Sequence, residues 1–273
     1  MSTHQDVLDL ANDLKARGEA FALATVVRTV SVTAAKAGAK AVIASDGTIT
    51  SGWIGGGCAR GAVLKAARAA LQDGQPRLVS IQPKDLLDEI GVKPGEAREG
   101  VEFARNNCPS QGTMDVFVEP VLPKPQLIVV GASPVAVALA DVARRAGFFV
   151  SVAAPAADHG LYGEVDRLVD GYALPGNETG QRFIVVATQG RGDHDGLRAA
   201  LSTPSTYTAF VGSRKKAASL RADLAEDGVP AEQLENFKAP AGLDIGAITP
   251  DEIAVSILAE MIEFRRRGHR DPA

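Results

Sequence analysis

The residues best suited to chemistry stand together in one short stretch, where Cys58 directly follows Gly55, Gly56 and Gly57. Consecutive glycines allow positive φ angles and let a ligand approach the main chain closely. Residues 62–71 follow with good helix formers and apolar side chains at helical spacing, which predicts a helix that begins near the cysteine. A helix N-terminus favours an anion and lowers the pKa of a thiol.

Cys58 is therefore a candidate catalytic nucleophile or soft metal ligand, and the three glycines are candidate cofactor-binding residues. The alternative is a buried structural cysteine at a tight turn, since buried cysteines are common and mostly inert. A second thiol, Cys108, is also a candidate for cofactor binding. The sequence does not say whether the two cysteines meet.

Three glycine-containing loops in the second half of the chain each follow a predicted strand and are candidate cofactor-binding loops. Their residues are Gly131, Ala132 and Ser133 in the first loop, Gln189 and Gly190 in the second, and Gly212, Ser213, Arg214 and Lys215 in the third. The third loop combines a glycine, a hydroxyl and cations at a predicted helix start, which suits a phosphate. The alternative is a solvated basic first turn, which the helix dipole disfavours.

The first of these loops resembles a degraded dinucleotide fingerprint. Gly131 keeps the tight turn, but Ser133 and Ala136 replace the second and third glycines of the usual pattern. The acidic residue expected after the second strand is missing from residues 153–156, and Asp158 comes a few residues late. We therefore expect no use of NAD as a hydride carrier. Both a phosphate at this helix start and a vestigial fold remain open.

Two further polar segments are weaker candidates. Asp244 lies in a loop with a glycine on each side and is a candidate cofactor-binding residue, although it could only brace the turn. The acidic and histidine side chains of residues 193–195 are predicted to lie at the surface.

Composition narrows the class of protein. The chain has 273 residues, 45% of them hydrophobic, which is enough for sizeable cores. A net charge of -4 gives no indication of nucleic-acid binding. There is no apolar run of membrane-spanning length and no signal peptide pattern, so we expect a cytoplasmic protein without a membrane span. Two cysteines do not make a disulfide framework, and four scattered histidines argue against structural zinc.

Residues 1–120 are predicted to form a mixed α+β domain that positions the glycine run. Its predicted elements are a helix over 5–16, strands over 21–29, 39–44, 48–51, 77–81 and 114–118, and the helix after Cys58. The dipeptide Asp46-Gly47 indicates a hairpin that leads the chain into the glycines. Residues 84–112 are predicted to be irregular.

Residues 121–273 are predicted to form a Rossmann-like domain, a doubly wound parallel sheet with helices on both faces, so the fold class is α/β. Strands are predicted over 127–130, 148–152, 183–187 and 206–211, alternating with helical stretches. Pro120, Pro123 and Pro125 indicate a stiff linker before this domain. Thr249, Pro250 and Glu252 form a capping box that starts the last helix.

Together these motifs resemble the xanthine dehydrogenase accessory protein family, of the XdhC and CoxI type, over nearly the whole chain. The matching segments are 55–58, similar to the N-terminal GGC element; 108–120, similar to a CxxGG-type strand start; and 212–216, 242–246 and 249–257, similar to the C-terminal signature. The chain departs from the family pattern at Arg60, where a glutamate is frequent. It also lacks the Ser-Pro-Arg that is frequent near residues 32–35.

The resemblance implies a molybdenum cofactor chaperone rather than a catalyst. Such proteins bind the finished molybdopterin cofactor, protect it while a sulfur ligand is installed, and deliver it to a molybdenum hydroxylase. The implied partners are an apo molybdenum hydroxylase, such as xanthine dehydrogenase or aerobic carbon monoxide dehydrogenase, a cysteine desulfurase or other sulfur donor, and a second copy in a homodimer. A dinucleotide form of the pterin would suit several phosphate sites. The alternatives are a nucleotide-dependent oxidoreductase of Rossmann type and an adaptor that docks partners through its last helix.

Overall fold

Two compact units make up the chain, Met1–Pro123 and Lys124–Ala273, and each is built around its own β-sheet. The computed structural model describes residues 4–109, 111–176 and 180–266. Together the two units form an α/β protein with a mixed N-terminal sheet and a parallel C-terminal sheet, so the predicted fold class is confirmed.

The N-terminal unit contains a seven-stranded mixed sheet. In chain order its elements are α1 (His4–Ala16), β1 (Phe21–Val30), β2 (Lys40–Ala44), β3 (Ile49–Gly52), α2 (Gly57–Asp73), β4 (Arg77–Gln82), α3 (Lys84–Glu89), β5 (Ala97–Arg98), β6 (Val101–Arg105) and β7 (Thr113–Val121). The strand order is β3-β2-β1-β7-β4-β6-β5, and among these described strands β4 and β6 pair in parallel while the other neighbours are antiparallel.

Helix α2 packs against one face of this sheet, and its sequence explains why. Val63, Ala66, Ala67 and Ala70 recur at helical spacing, and all are at most 1% exposed. Small side chains let the helix approach the buried valines and isoleucines of the sheet closely. Gly74 ends the helix in the left-handed conformation, with φ 72°. The start of α2 is thereby fixed at the edge of a packed core.

Two predictions for this unit were wrong. Residues 84–112 are not irregular, because they contain α3, which buries Leu87, and the strands β5 and β6. Strand β6 is held by parallel pairing with β4, a partner distant in sequence, and Val101 and Phe103 are only half-buried. Pro120 does not belong to a linker, since it lies within β7 and is paired with β1.

The C-terminal unit contains a six-stranded parallel sheet, which confirms the Rossmann-like prediction. In chain order its elements are β8 (Gln126–Val130), α4 (Pro134–Arg145), β9 (Phe149–Ala154), a 3-10 helix (Ala156–Leu161), β10 (Arg167–Asp170), β11 (Arg182–Val186), α5 (Asp193–Leu201), β12 (Tyr207–Phe210), α6 (Arg214–Glu226), α7 (Ala231–Glu235), β13 (Phe237–Lys238) and α8 (Pro250–Arg266). The strand order β10-β9-β8-β11-β12-β13 reverses between β8 and β11.

Two hydrophobic layers cover the faces of this sheet. Helices α4 and α8 pack on one face, and α5 and α6 pack on the other. The predicted capping box of α8 is present, because Thr249 N donates to Glu252 Oε2 at 2.9 Å and Glu252 N donates to Thr249 Oγ1 at 3.3 Å. Within the described residues, no helix combines the length and the apolar character needed to cross a membrane.

Candidate functional site

A pocket in the N-terminal unit brings the glycine run and the Cys108 loop together, which the sequence could not foresee. Its volume is about 260 Å³. Its described lining residues are Thr33, Ala34, Gly55, Gly56, Gly57, Ala59, Ile81, Asn106, Cys108, Gly112 and Met114. One cavity is therefore lined by the three candidate glycines, the last of which begins α2, and by the candidate cysteine Cys108.

The glycine run contains two kinds of glycine. Gly55 and Gly57 have φ angles of 104° and 42°, which side-chain-bearing residues rarely adopt. Gly56 has φ −100° and ψ 177°, a conformation that any residue can adopt. A Cβ at Gly56 would meet no heavy atom within 4 Å. The backbone angles and the packing at position 56 therefore do not require glycine.

The N-terminus of α2 lines this pocket. Gly56 is its N-cap residue, and no side chain in the described part of the chain caps the helix. The first backbone N–H groups of α2 therefore lack an intrahelical acceptor, and they carry the positive end of the helix dipole. Cys58 is the second residue of the helix, as the sequence predicts. The side chain of Cys58 lies outside the described part of the structure.

The described side chains that line the pocket are uncharged. None of the described lining residues is a lysine, arginine, aspartate or glutamate. Ile81, Met114, Ala34 and Ala59 supply apolar walls. A ligand with an apolar ring and an anionic or electron-rich end fits this combination of walls and helix N-terminus.

A small hydrogen-bond network fixes the Cys108 loop against the pocket. Asn106 Nδ2 donates to Gly112 O at 2.6 Å, and Cys108 N donates to Asn106 Oδ1 at 2.9 Å. Gln111 N donates to Cys108 O at 3.1 Å. Gln111 itself has a positive φ of 51°, which is unusual for a residue other than glycine. A Cβ on Gly112 would lie 2.3 Å from Val32 O, so this glycine permits the close approach of the two loops. Cys108 itself is exposed.

The loop after β8 is occupied by contacts within the protein. Gly131 has φ 104°, and a Cβ there would lie 2.7 Å from Thr188 Cα. Ser133 is 5% exposed, and its Oγ caps α4 by accepting from Ala136 N at 3.2 Å. Pro134, the first helical residue, has no N–H to offer. The start of α4 therefore keeps few backbone donors for a phosphate, and a cofactor-binding role for residues 131–133 stays a prediction.

Asp193 corrects the prediction that residues 193–195 lie at the surface, because it is 7% exposed. Its Oδ1 accepts from the hydroxyl of Thr188 and, at 2.9 Å, from Gly190 N, while Lys216 forms an ion pair with Oδ2. Burial raises the pKa of Asp193, but these hydrogen bonds outweigh burial and lower the pKa below its ordinary value. The network fixes the loop that carries Gln189, whose φ is 52°.

The start of α6 presents two cations without an acidic partner among the described residues. Ser213 caps the helix, since its Oγ accepts from Lys216 N at 3.2 Å. Lys216 is neutralised by the buried Asp193. Arg214 and Lys215 are exposed. Of the three predicted cations, these two remain available to an anion at a helix N-terminus.

Glu260 lies on α8, three residues beyond the signature segment 249–257, and the sequence did not predict a role for it. It is 4% exposed on α8, accepts from Gly242 N at 2.9 Å and from the hydroxyl of Tyr207, and forms an ion pair with Lys238. Burial raises the pKa of Tyr207 and keeps its hydroxyl a donor. Glu260 therefore braces the glycine loop that displays Asp244, whose side chain is exposed.

No three histidine, cysteine, aspartate or glutamate side chains of the described residues come close enough together to hold a metal ion. The predicted contact between Cys58 and molybdenum therefore has no support from neighbouring metal ligands among the described residues, and it stays a prediction.

Two family models match the sequence of this chain. The profile of the XdhC and CoxI family matches residues 14–82, and the XdhC Rossmann domain profile matches residues 127–261. The chain belongs to the XdhC and CoxI family. The first match covers the glycine run and the second covers the whole described core of the parallel sheet, so both halves of the chain carry the family pattern.

Individual relatives are similar to the chain over different lengths. The uncharacterized protein YqeB of Escherichia coli (strain K12) is 29% identical over 256 residues, 91% of this chain and 44% of that protein. A protein of Bacillus subtilis (strain 168) described as a probable xanthine dehydrogenase component is 34% identical over 163 residues, 57% of this chain and 47% of that protein. This XdhC-type chain thus spans less than half the length of either relative. A solved structure described as a xanthine dehydrogenase from Bacillus halodurans matches with a TM-score of 0.46 and 19% identity, over 95% of this chain and 96% of that one.

Proposed function

We propose that this XdhC-type chain is a maturation factor that binds the molybdenum cofactor, supports its sulfuration and delivers it to a molybdenum hydroxylase. Family membership supports an accessory role to xanthine dehydrogenase, as does the similarity to the Bacillus subtilis protein named for that enzyme. The observation that carries the proposal is Gly56. Its backbone angles do not require glycine, yet a glycine lines the pocket at a helix start that has no side-chain cap.

The residues of the pocket fit a pterin cofactor. Ile81 and Met114 offer apolar contact to a ring system, and the N–H groups of α2 offer donors to its anionic or sulfur-bearing end. A volume of about 260 Å³ lies just below the roughly 300–1,000 Å³ of small-molecule sites. The pocket would therefore enclose the ring and leave the rest of the cofactor outside. The bound cofactor would supply a molybdenum centre with an exchangeable sulfur ligand.

The two cysteines would act on this cofactor from different elements. Cys58 at the start of α2 would be held as a thiolate by the helix dipole, where it can carry sulfur or contact the metal. Cys108 would contact the cofactor from its braced loop. In the C-terminal unit, Arg214 and Lys215 would bind a phosphate at the start of α6.

The proposed partners are an apo molybdenum hydroxylase of the xanthine dehydrogenase or aerobic carbon monoxide dehydrogenase type, a cysteine desulfurase or other sulfur donor, and a second copy of the chain. The experiment is purification from a host that makes the cofactor, followed by measurement of molybdenum and pterin per protomer. We expect both in the wild-type protein and a marked loss in Cys58→Ser. Bound nicotinamide or flavin without pterin would instead favour the oxidoreductase, and a protein that carries none of these would refute cofactor binding.

A further inference from the structure

The last helix, α8, has apolar side chains on two opposite faces. One face lies on the parallel sheet, where Ile257 and Met261 are fully buried. A surface helix ordinarily has charged and polar side chains on its other face. On α8 the other face instead carries Val255, Ala259 and Ile262. We call these three residues the outer stripe of α8.

The outer stripe follows helical spacing on the side of α8 that points away from the sheet. Val255, Ala259 and Ile262 are separated by four and three residues, so they share one face of the helix. At about 3.6 residues per turn, that face lies roughly opposite Ile257. Val255 is 49% exposed, and the other two residues are half-buried. None of the three belongs to a hydrophobic core of the described residues, so the fold of the described chain leaves the stripe unused.

Opposite charges stand at the two ends of the outer stripe. Glu252 lies seven residues before Ala259 and Arg266 lies seven residues after it, so each is about two turns away on the same face. Neither side chain forms an ion pair within the described part of the chain. Glu252 accepts from Ile248 N at 2.8 Å and from Thr249 N at 2.9 Å, both through Oε2, which leaves Oε1 for another donor. Arg266 is exposed in the last turn.

We propose that the outer stripe binds a second copy of this chain, with the two α8 helices antiparallel about a two-fold axis at Ala259. A contact of this symmetry requires a surface that is complementary to itself. The equal spacing meets this requirement, because reversing the helix direction places Glu252 against Arg266 of the partner subunit, and the reverse. Ala259, the smallest side chain of the stripe, lets the helices approach closely where they cross.

The charges favour a second copy over an unrelated partner. An apolar stripe alone would suit many helices, but two opposite charges at equal distances from a central alanine suit an antiparallel copy of the same helix. The inference rests on the proposed function in that it names the surface through which the proposed second copy binds. Cofactor binding by the N-terminal unit does not require this contact.

Sedimentation velocity of the full chain over a dilution series measures the dimer directly. We expect a reversible dimer whose fraction rises with concentration. Ala259→Glu places two carboxylates across the axis and should weaken the dimer at least about tenfold, while glutamate still favours a helix. Ala69→Glu is the matched control, because Ala69 is a half-buried alanine on α2 that belongs to no core of the described residues. Melting curves of dilute samples show whether both variants fold.

Two further variants test the arrangement itself. Arg266→Glu brings like charges together at Glu252 and should weaken the dimer by a similar factor. In a chain that carries Cys58→Ser and Cys108→Ser, Ala259→Cys should form a disulfide between two copies on oxidation with diamide, because identical residues meet only at a two-fold axis. Ala69→Cys in the same chain should form none.

The outcomes separate the possible occupants of the stripe. A wild-type chain that stays monomeric across the dilution series would overturn the proposal, and an apo molybdenum hydroxylase that then binds the stripe would be its occupant. A dimer of equal strength in Ala259→Glu and Ala69→Glu would also overturn it, because the copies would meet elsewhere. Failure of the proposed function is distinguishable, since it gives a dimer without pterin, whereas failure of this inference gives a monomer that still binds pterin.

Discussion

Replacing Gly56 with serine should stabilise the protein while weakening its hold on the cofactor. The backbone at this position, φ −100° and ψ 177°, suits a serine N-cap, and a new Cβ would meet no atom within 4 Å. The hydroxyl would accept from the N–H of the second or third residue of α2. It would therefore occupy donors that we assign to the cofactor.

The expected gain in stability is small but measurable. A serine N-cap exceeds glycine by a few tenths of a kcal/mol. The loss of glycine from the unfolded chain adds about 0.4–1 kcal/mol. A total near 1 kcal/mol should raise the melting temperature by roughly 2–8 °C, depending on how much of the chain unfolds together. Loss of one charge-assisted donor, about 1.5–3 kcal/mol, should weaken cofactor retention by about 10- to 100-fold.

The assay measures the melting curve of the cofactor-free protein and the pterin retained per protomer on the same preparations. Gly61→Ala is the matched control, because Gly61 lies within α2, is exposed and also has open space around it. It should raise stability by about 0.5–1 kcal/mol and leave retention unchanged. If Gly56→Ser retains the cofactor as well as Gly61→Ala does, the argument that Gly56 is kept open for a ligand is wrong.

Three further predictions concern charge and thiol chemistry. Cys58 should alkylate faster than a free model thiol and faster than Cys108, measured as rate against pH in the two serine variants; equal rates would contradict an activated thiolate. The double change Arg214→Ala with Lys215→Ala should weaken the binding of a phosphate-bearing ligand by the C-terminal unit at least about tenfold and leave the ligand-free melting temperature unchanged or higher, whereas a structural role predicts the reverse. Because hydrogen bonds depress its pKa, Asp193 should stabilise the fold above its ordinary pKa of 3.8, and this contribution is lost as the pH falls through the lowered value. Denaturant unfolding of Asp193→Asn should therefore show a deficit of about 1–3 kcal/mol at neutral pH that shrinks in acid, and a deficit independent of pH would refute the assignment.

Features determined by neighbouring residues were predictable from the sequence. The capping box of α8, the helix after the glycine run and the alternation of strands and helices in the C-terminal unit all follow from local patterns, and the structure confirms them. The reversal of the strand order is different, because it depends on how distant segments pair. It could be expected only from the general rule for doubly wound sheets.

The features that the sequence did not predict correctly depend on contacts with residues distant in the chain. Asp193 was predicted to be a surface residue, yet Lys216 on another helix pairs with its carboxylate, while Thr188 in its own loop donates a hydrogen bond to it. Strand β6 was not predicted because its parallel partner β4 lies well before it in the chain, with α3 and several turn-forming residues between them. The meeting of the Cys108 loop with the glycine run is likewise a tertiary result. Asn106, two residues before the cysteine, is a local signal of this turn, because its side-chain oxygen accepts from Cys108 N.

The central claim is that the cofactor binds beside the glycine run, and the single tryptophan of the chain offers the most direct measurement. Trp53 stands two residues before Gly55 and is 47% exposed. Titration of cofactor-free protein with isolated molybdenum cofactor should quench its fluorescence and saturate near one cofactor per protomer. Gly56→Ser should shift the midpoint by about 10- to 100-fold. A titration that leaves the fluorescence unchanged, or that follows the same curve in Gly56→Ser, would contradict the account.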